Sequence, residues 1–145
     1  MCTIIEFNIL EFSKDALVGL RISDGQVRVG FTDRLSVLPV RSLSGNCLLE
    51  WGNKMDSKLP RTGFCKKESI LMGKWSWLCP EPVEIVANRG FSNGTWFQIR
   101  EGIKGVKVVG RDGKEHVYLL TEPSTHYFKT MTGAVRMPVL IGQVI

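Results

Sequence analysis

The chain has 145 residues, a formal charge of +5 and a composition that is 43% hydrophobic and 23% charged. This balance excludes collagen-like, coiled-coil and wholly disordered classes. A chain of this length buries roughly two-thirds of its unfolded surface, enough for one real core, so a single domain over residues 1–145 is expected. No run of about 18 or more apolar residues occurs, so no membrane-spanning helix is predicted. The opening stretch MCTIIEFNILEF contains Glu6 and Glu11 and has no basic leader. No secretory signal is expected, and the predicted location is cytoplasmic.

The predicted elements are short and punctuated by glycine. CTIIEFNILEF reads as a strand with room for a bend, and Asp15 to Gly19 as a brief helix or turn. Gly19 to Phe31 is a hairpin signal, with LRIS as the first strand, Asp24-Gly25 at the turn and alternation in QVRVGF. LSVLPVRS is a short strand interrupted by Pro39, which predicts an edge or a bulge. CLLEWGN is strand-like. Ser69 to Trp77 has apolar residues near a 3.6 period and predicts one or two helical turns, ended by CPEP. VEIVANRGF is a strand with a turn at Asn88, and Asn93-Gly94 is a tight turn before TWFQI. Ile103 to Leu120 is the clearest hairpin, with Arg111-Asp112-Gly113 at its tip. Thr121 to Gly133 reads as a loop with a short helix, and RMPVLIGQVI as a final apolar strand. The sum is an α+β chain, mainly antiparallel β, with a barrel-like sheet and a few short helices.

The positive charge is uneven. Lys54–Lys74 and Arg89–Lys114 each hold six basic and two acidic residues, which leaves −3 on the remainder. A basic face for nucleic acid is one reading, and ordinary solubilising charge is the other.

The cysteines are Cys2, Cys47, Cys65 and Cys79, separated by 45, 18 and 14 residues. None forms a CxxC pair, and neither His116 nor His126 sits at finger spacing, so no metal and no cofactor are expected. Without a leader the thiols are expected to be reduced. Cys47 reads as a buried small hydrophobe. Cys65 lies beside Lys66 and Lys67, which lower its pKa if all three share a surface; a structural role is the alternative. Cys2 carries particular chemistry. If Met1 is removed, its amine and thiol form a 1,2-aminothiol that condenses with an aldehyde to a thiazolidine. With Met1 in place, the Cys2 nitrogen is a peptide nitrogen and that reaction is blocked.

Four features in order carry a family resemblance: Met1-Cys2, the strand ending Trp51-Gly52, the run VYLLTEPS from Val117 to Ser124, and Arg136-Met137-Pro138-Val139-Leu140. Together they cover nearly the whole chain, which resembles the SOS response-associated peptidase (SRAP) family, the abasic-site-processing proteins. The resemblance implies a DNA damage role in the SOS response. It implies single-stranded DNA as partner and a DNA–protein crosslink at abasic sites through Cys2, supported by an Asn, a Glu and a His. It also implies a shortened, divergent member. At the position of the His stands Ala134. Either register for the Glu gives an amide, Asn93 or Gln98. The Asn segment is represented by Leu59-Pro60-Arg61, which keeps only Arg61.

Arg61 and Arg136 are the foremost candidate phosphate contacts, with Lys54, Lys66, Lys67 and Arg89 behind them; for Arg136 the alternative is a buried structural ion pair. Trp51, Trp75, Trp77 and Trp96 offer rings for packing or for stacking on a base, and Trp51 is placed with the DNA contacts. Glu122 and His126 are candidates for proton transfer from a displaced position, or plain surface residues. No P-loop, HExxH or G-x-S-x-G is present. Two functions are therefore expected: an SRAP-like binder of single-stranded DNA, with crosslinking if Met1 is removed, or a catalytically degenerate β domain serving as a protein-interaction or structural module.

Overall fold

The computed structural model describes residues 2–42 and 45–143. Met1 of the Met1-Cys2 motif, and Val144 and Ile145 at the end of the final run, lie outside the described residues. The described residues form an α+β fold dominated by antiparallel strands, with two short α-helices. None of their helices is long and apolar enough to cross a membrane.

One sheet has the order β2-β3-β1-β8-β9. Its strands are β1 (Ile4–Asn8), β2 (Arg21–Ser23), β3 (Gln26–Gly30), β8 (Arg89–Ser92) and β9 (Thr95–Gln98). Two of its turns follow directly from sequence. Asp24 and Gly25 both take positive φ, at 51° and 74°, and so do Asn93 and Gly94, at 47° and 82°. Two successive left-handed residues match the twist of a tight hairpin, and Asn, Asp and Gly tolerate them best. The initial strand bends after Asn8, whose side chain accepts from Leu10 N–H and opens a 3-10 turn at Ile9–Glu11.

The second sheet contains a closed ring. Its strands are β4 (Val37–Val40), β5 (Cys47–Trp51), β7 (Glu81–Ile85), β10 (Ile103–Val109) and β11 (Glu115–Pro123). They run β10-β7-β4-β5-β11, and β11 pairs back onto β10. The β5–β11 pairing is parallel and the others are antiparallel. Outside the ring, β6 (Phe64–Lys66) and β12 (Arg136–Pro138) extend along β11. The sequence predicted an edge or bulge at Pro39, but β4 is interior. Its missing N–H is tolerated because it points to the β7 side, where the ladder is reduced to one pair, Val40 with Ile85. On that side the Pro39 carbonyl still accepts from Val86 N–H at 2.9 Å.

Helix α1 (Lys67–Leu71) starts before the predicted Ser69, and Gly73, at φ 73°, follows soon after its end; Ser76–Leu78 is a separate 3-10 turn. Helix α2 (His126–Thr132) is capped by the Thr125 hydroxyl, which accepts from Phe128 N–H, and it ends at Gly133 in the left-handed region. Among its described residues, the final apolar run forms only the three residues of β12, followed by a bridge between Leu140 and Ile103.

The main core lies between the two sheets. Cys2, just ahead of β1, and Ile5, Phe7, Val27 and Val29 from the first meet Leu38, Trp51, Ile85, Val117 and Leu119 from the ring. A second cluster, with Cys65, Val106, Val108 and Tyr118, lies on the other face of β11. This division fixes the geometry of the first sheet. Because Ile5, Phe7, Val27 and Val29 point inward, Glu6 and Arg28 must point outward.

Candidate functional site

Strand register lines up one row across the outward face of the five-stranded sheet. Arg21 is opposite Arg28, Arg28 opposite Glu6, Glu6 opposite Arg89, and Arg89 opposite Gln98. Five strands at their usual spacing make this row about 19 Å wide. In the neighbouring row Phe91 is opposite Trp96, with ring centroids 5.0 Å apart.

Glu6 organises the centre. It is 4% exposed and accepts from Arg89 Nε at 2.8 Å, Arg89 Nη2 at 2.9 Å and Arg28 Nε at 2.7 Å. The Arg89 bonds, and then those of Arg28, hold its carboxyl below the ordinary value against the opposing effect of burial. Both guanidiniums lie over the Trp96 ring, Arg28 at 5.0 Å and Arg89 at 4.6 Å from its centroid. One carboxylate thus anchors two cations on one indole, leaving a net positive, partly exposed aromatic patch. A groove of about 600 Å³ lined by Arg21, Arg28, Asp33 and Arg34 opens at one end of the row. Another of about 490 Å³, lined by Trp96, Gln98, Arg100 and Tyr127, opens at the other.

The sequence-predicted residues are distributed as follows. Arg89 and Gln98 belong to this face, and Asn93 is exposed at the β8–β9 turn. Arg61, Lys66 and Lys67 are exposed elsewhere, around β6. Lys54 is exposed, donates to the Asp33 carbonyl at 2.8 Å and lies 5.2 Å from the Phe31 ring centroid. Trp51 is fully buried, donates its indole N–H to the Gly63 carbonyl at 3.0 Å and packs edge-on against Phe31 and Phe64. It is a core residue with no face for a base, which corrects its placement as a DNA contact. Arg136 forks onto Glu68 at 2.7 and 3.2 Å and onto the Thr121 carbonyl at 2.9 Å, so both Nη groups are engaged within the fold, while its Nε is buried away from solvent without a partner. Glu122 is half-buried in β11, opposite Met137, and His126 is exposed as the first residue of α2.

Cys2 is fully buried. Its thiol donates to the Ile4 carbonyl at 3.4 Å, and burial pushes its pKa up to about 12. Gly90 makes room for it: a Cβ there would lie 2.8 Å from Cys2 Sγ and 2.5 Å from the Phe97 ring. Ala134 is buried in the same apolar cluster. Cys65 is also buried, with its pKa raised to about 12 by desolvation, while Lys66 and Lys67 are exposed, so the three do not share a surface. Cys47, expected to be buried, is exposed.

Sequence reading missed the contribution of Glu6 and Arg28. The signal was present as alternation, Ile5-Glu6-Phe7 and Val27-Arg28-Val29, but pairing partners are needed to join them to Arg89 and Trp96. The fold and this face define a small antiparallel β protein with a basic, aromatic outer surface. No family model matches the chain, and no curated protein matches it.

Proposed function

We propose that the protein binds single-stranded nucleic acid without covalent capture, across the outward face of the five-stranded sheet. The observation that carries this reading is Trp96 flanked by the Arg28 and Arg89 guanidiniums, with a single carboxylate between them. Single strands are held by aromatic rings that stack on bases and by cations that follow the phosphates. Arg21, Arg34 and Arg100 extend the cationic track toward both grooves. The ordered resemblance to the SRAP family supports DNA as the polymer and the assignment as a divergent member. The non-covalent form of the reading rests on the buried Cys2 thiol and on Ala134, which has no proton to transfer. Four free cysteines support a reducing compartment, and we place the protein in the cytoplasm.

The test is fluorescence anisotropy with a labelled oligonucleotide at low and high salt, beside denaturing electrophoresis with an abasic strand. Salt-sensitive binding that weakens in Trp96→Ala, with no adduct, is expected. No binding at low salt overturns the reading, and an adduct absent in Cys2→Ala overturns its non-covalent form. A second reading, a protein-interaction module, is favoured by Leu71, Met72 and Trp77, which are 61–76% exposed around one short helix.

A further inference from the structure

The second face of β11 carries a donor set unrelated to cysteine spacing. His116 is 2% exposed, and its Nδ1 lies 2.8 Å from the Gly52 carbonyl oxygen and 2.8 Å from Glu50 Oε2. Both neighbours only accept, so Nδ1 carries a proton. In the neutral ring Nε2 then presents a lone pair. That Nε2 is buried and has no hydrogen-bond partner. It faces Asp56 and Asp112, and one donor atom from each of the three residues lies within 4.8 Å of the others.

The space between them is kept open by Gly110. A Cβ at that position would lie 2.7 Å from Asp56 Oδ2, 3.0 Å from His116 Nε2 and 3.2 Å from Asp112 Oδ1. The carboxylates are oriented by backbone N–H groups. Asp56 accepts from Lys58 and Arg111, each at 2.8 Å, and Asp112 accepts from Lys114 at 2.9 Å. Two anions around a lone pair call for a cation at their centre. The proton on Nδ1, shared toward a carbonyl and a carboxylate, is the outer arrangement that orients metal-bound imidazoles.

The geometry points to a divalent transition-metal site formed by Asp56, Asp112 and His116. One imidazole and two carboxylates suit Zn²⁺ or Mn²⁺, with Zn²⁺ the tighter of the two. Three protein ligands leave a further position open. It faces a groove of about 600 Å³ rimmed by Arg34, Lys54, Arg111 and Lys114, which favours an oxyanion as the outer ligand.

The exposed thiols of Cys47 and Cys79 are first alkylated so that they do not compete. Zn²⁺ alone is then titrated calorimetrically, with the His116 ring nitrogens followed by ¹⁵N NMR. One equivalent should bind and move the Nε2 resonance. Gly110→Ala, which fills the space, and Asp112→Asn, at an exposed turn, should each weaken binding at least about tenfold. Asp112→Asn keeps the test valid if Gly110→Ala does not fold. Unchanged affinity in Asp112→Asn, or an Nε2 that is protonated and unresponsive to Zn²⁺, overturns the site. Because the probe is the metal alone, neither result bears on nucleic-acid binding.

Discussion

Arg89 lies bidentate on Glu6, with Nε 2.8 Å from Oε1 and Nη2 2.9 Å from Oε2, while Arg28 reaches the same carboxylate from the opposite neighbouring strand. The three residues tie β3, β1 and β8 together on their outer side, where no core packing acts. Two-pronged contacts between charged groups are among the stronger hydrogen bonds a protein makes.

Glu6→Gln should therefore cost about 2 kcal/mol at neutral pH, since both guanidiniums lose their anion but remain able to reach water. The sign with pH follows from its lowered carboxyl pKa. The stabilisation is fully present above the ordinary value of 4.5 and is lost as the pH falls through the lower folded-state value. Urea midpoints at pH 7 and at strongly acidic pH check this; the wild-type and Glu6→Gln proteins should converge in acid.

Trp96→Ala should weaken single-strand binding by about 1–3 kcal/mol, the usual worth of one stacked base. Arg28→Gln leaves Glu6 paired with Arg89, so it should fold. It should also flatten the plot of log affinity against log salt by about 0.7, one phosphate contact on a single strand. Anisotropy titrations at several salt concentrations measure both, and equal slopes would remove Arg28 from the interface.

Arg136→Gln should separate structure from binding. Its two Nη groups are spent on Glu68 and Thr121, its Nε is buried, and the contact holds the Glu68 carboxyl below its ordinary value. The substitution should cost about 2 kcal/mol of stability. Nucleic-acid affinity measured well below the melting temperature should not change. A selective loss of affinity would return Arg136 to the phosphate contacts.

Thiol labelling should divide the four cysteines in two. Cys47 and Cys79 are exposed and should react at once with a disulfide reagent, whereas Cys2 and Cys65 should react only on unfolding. Burial raises both of the latter from 9.0 to about 12. The folded state therefore retains protons that the unfolded state releases, and stability should fall as pH rises from about 9 toward 12. Cys2→Ala or Cys65→Ala should reduce that alkaline slope, read from denaturant midpoints.

Local chemistry made much of the fold legible. Asp24-Gly25, Asn93-Gly94 and the Arg111–Gly113 tip marked three hairpins because a tight turn demands residues that accept positive φ. Pro39 misled because its missing N–H signals an edge only when a full ladder would otherwise lie on that side. Trp51 misled because a tryptophan among basic residues looks the same in sequence whether its ring faces solvent or core.

The sequence by itself determined a single small β-rich chain, the positions of its tight turns, and the alternation that sends Glu6 and Arg28 opposite to their apolar neighbours. Only the tertiary structure decided which side chains meet. Glu6, Arg28, Arg89 and Trp96 come from four strands, and Asp56 joins Asp112 and His116 from more than fifty residues away. The reason is physical: alternation and turn preference are set by bonds within a few residues, whereas register and ring closure are set by packing between strands distant in the chain.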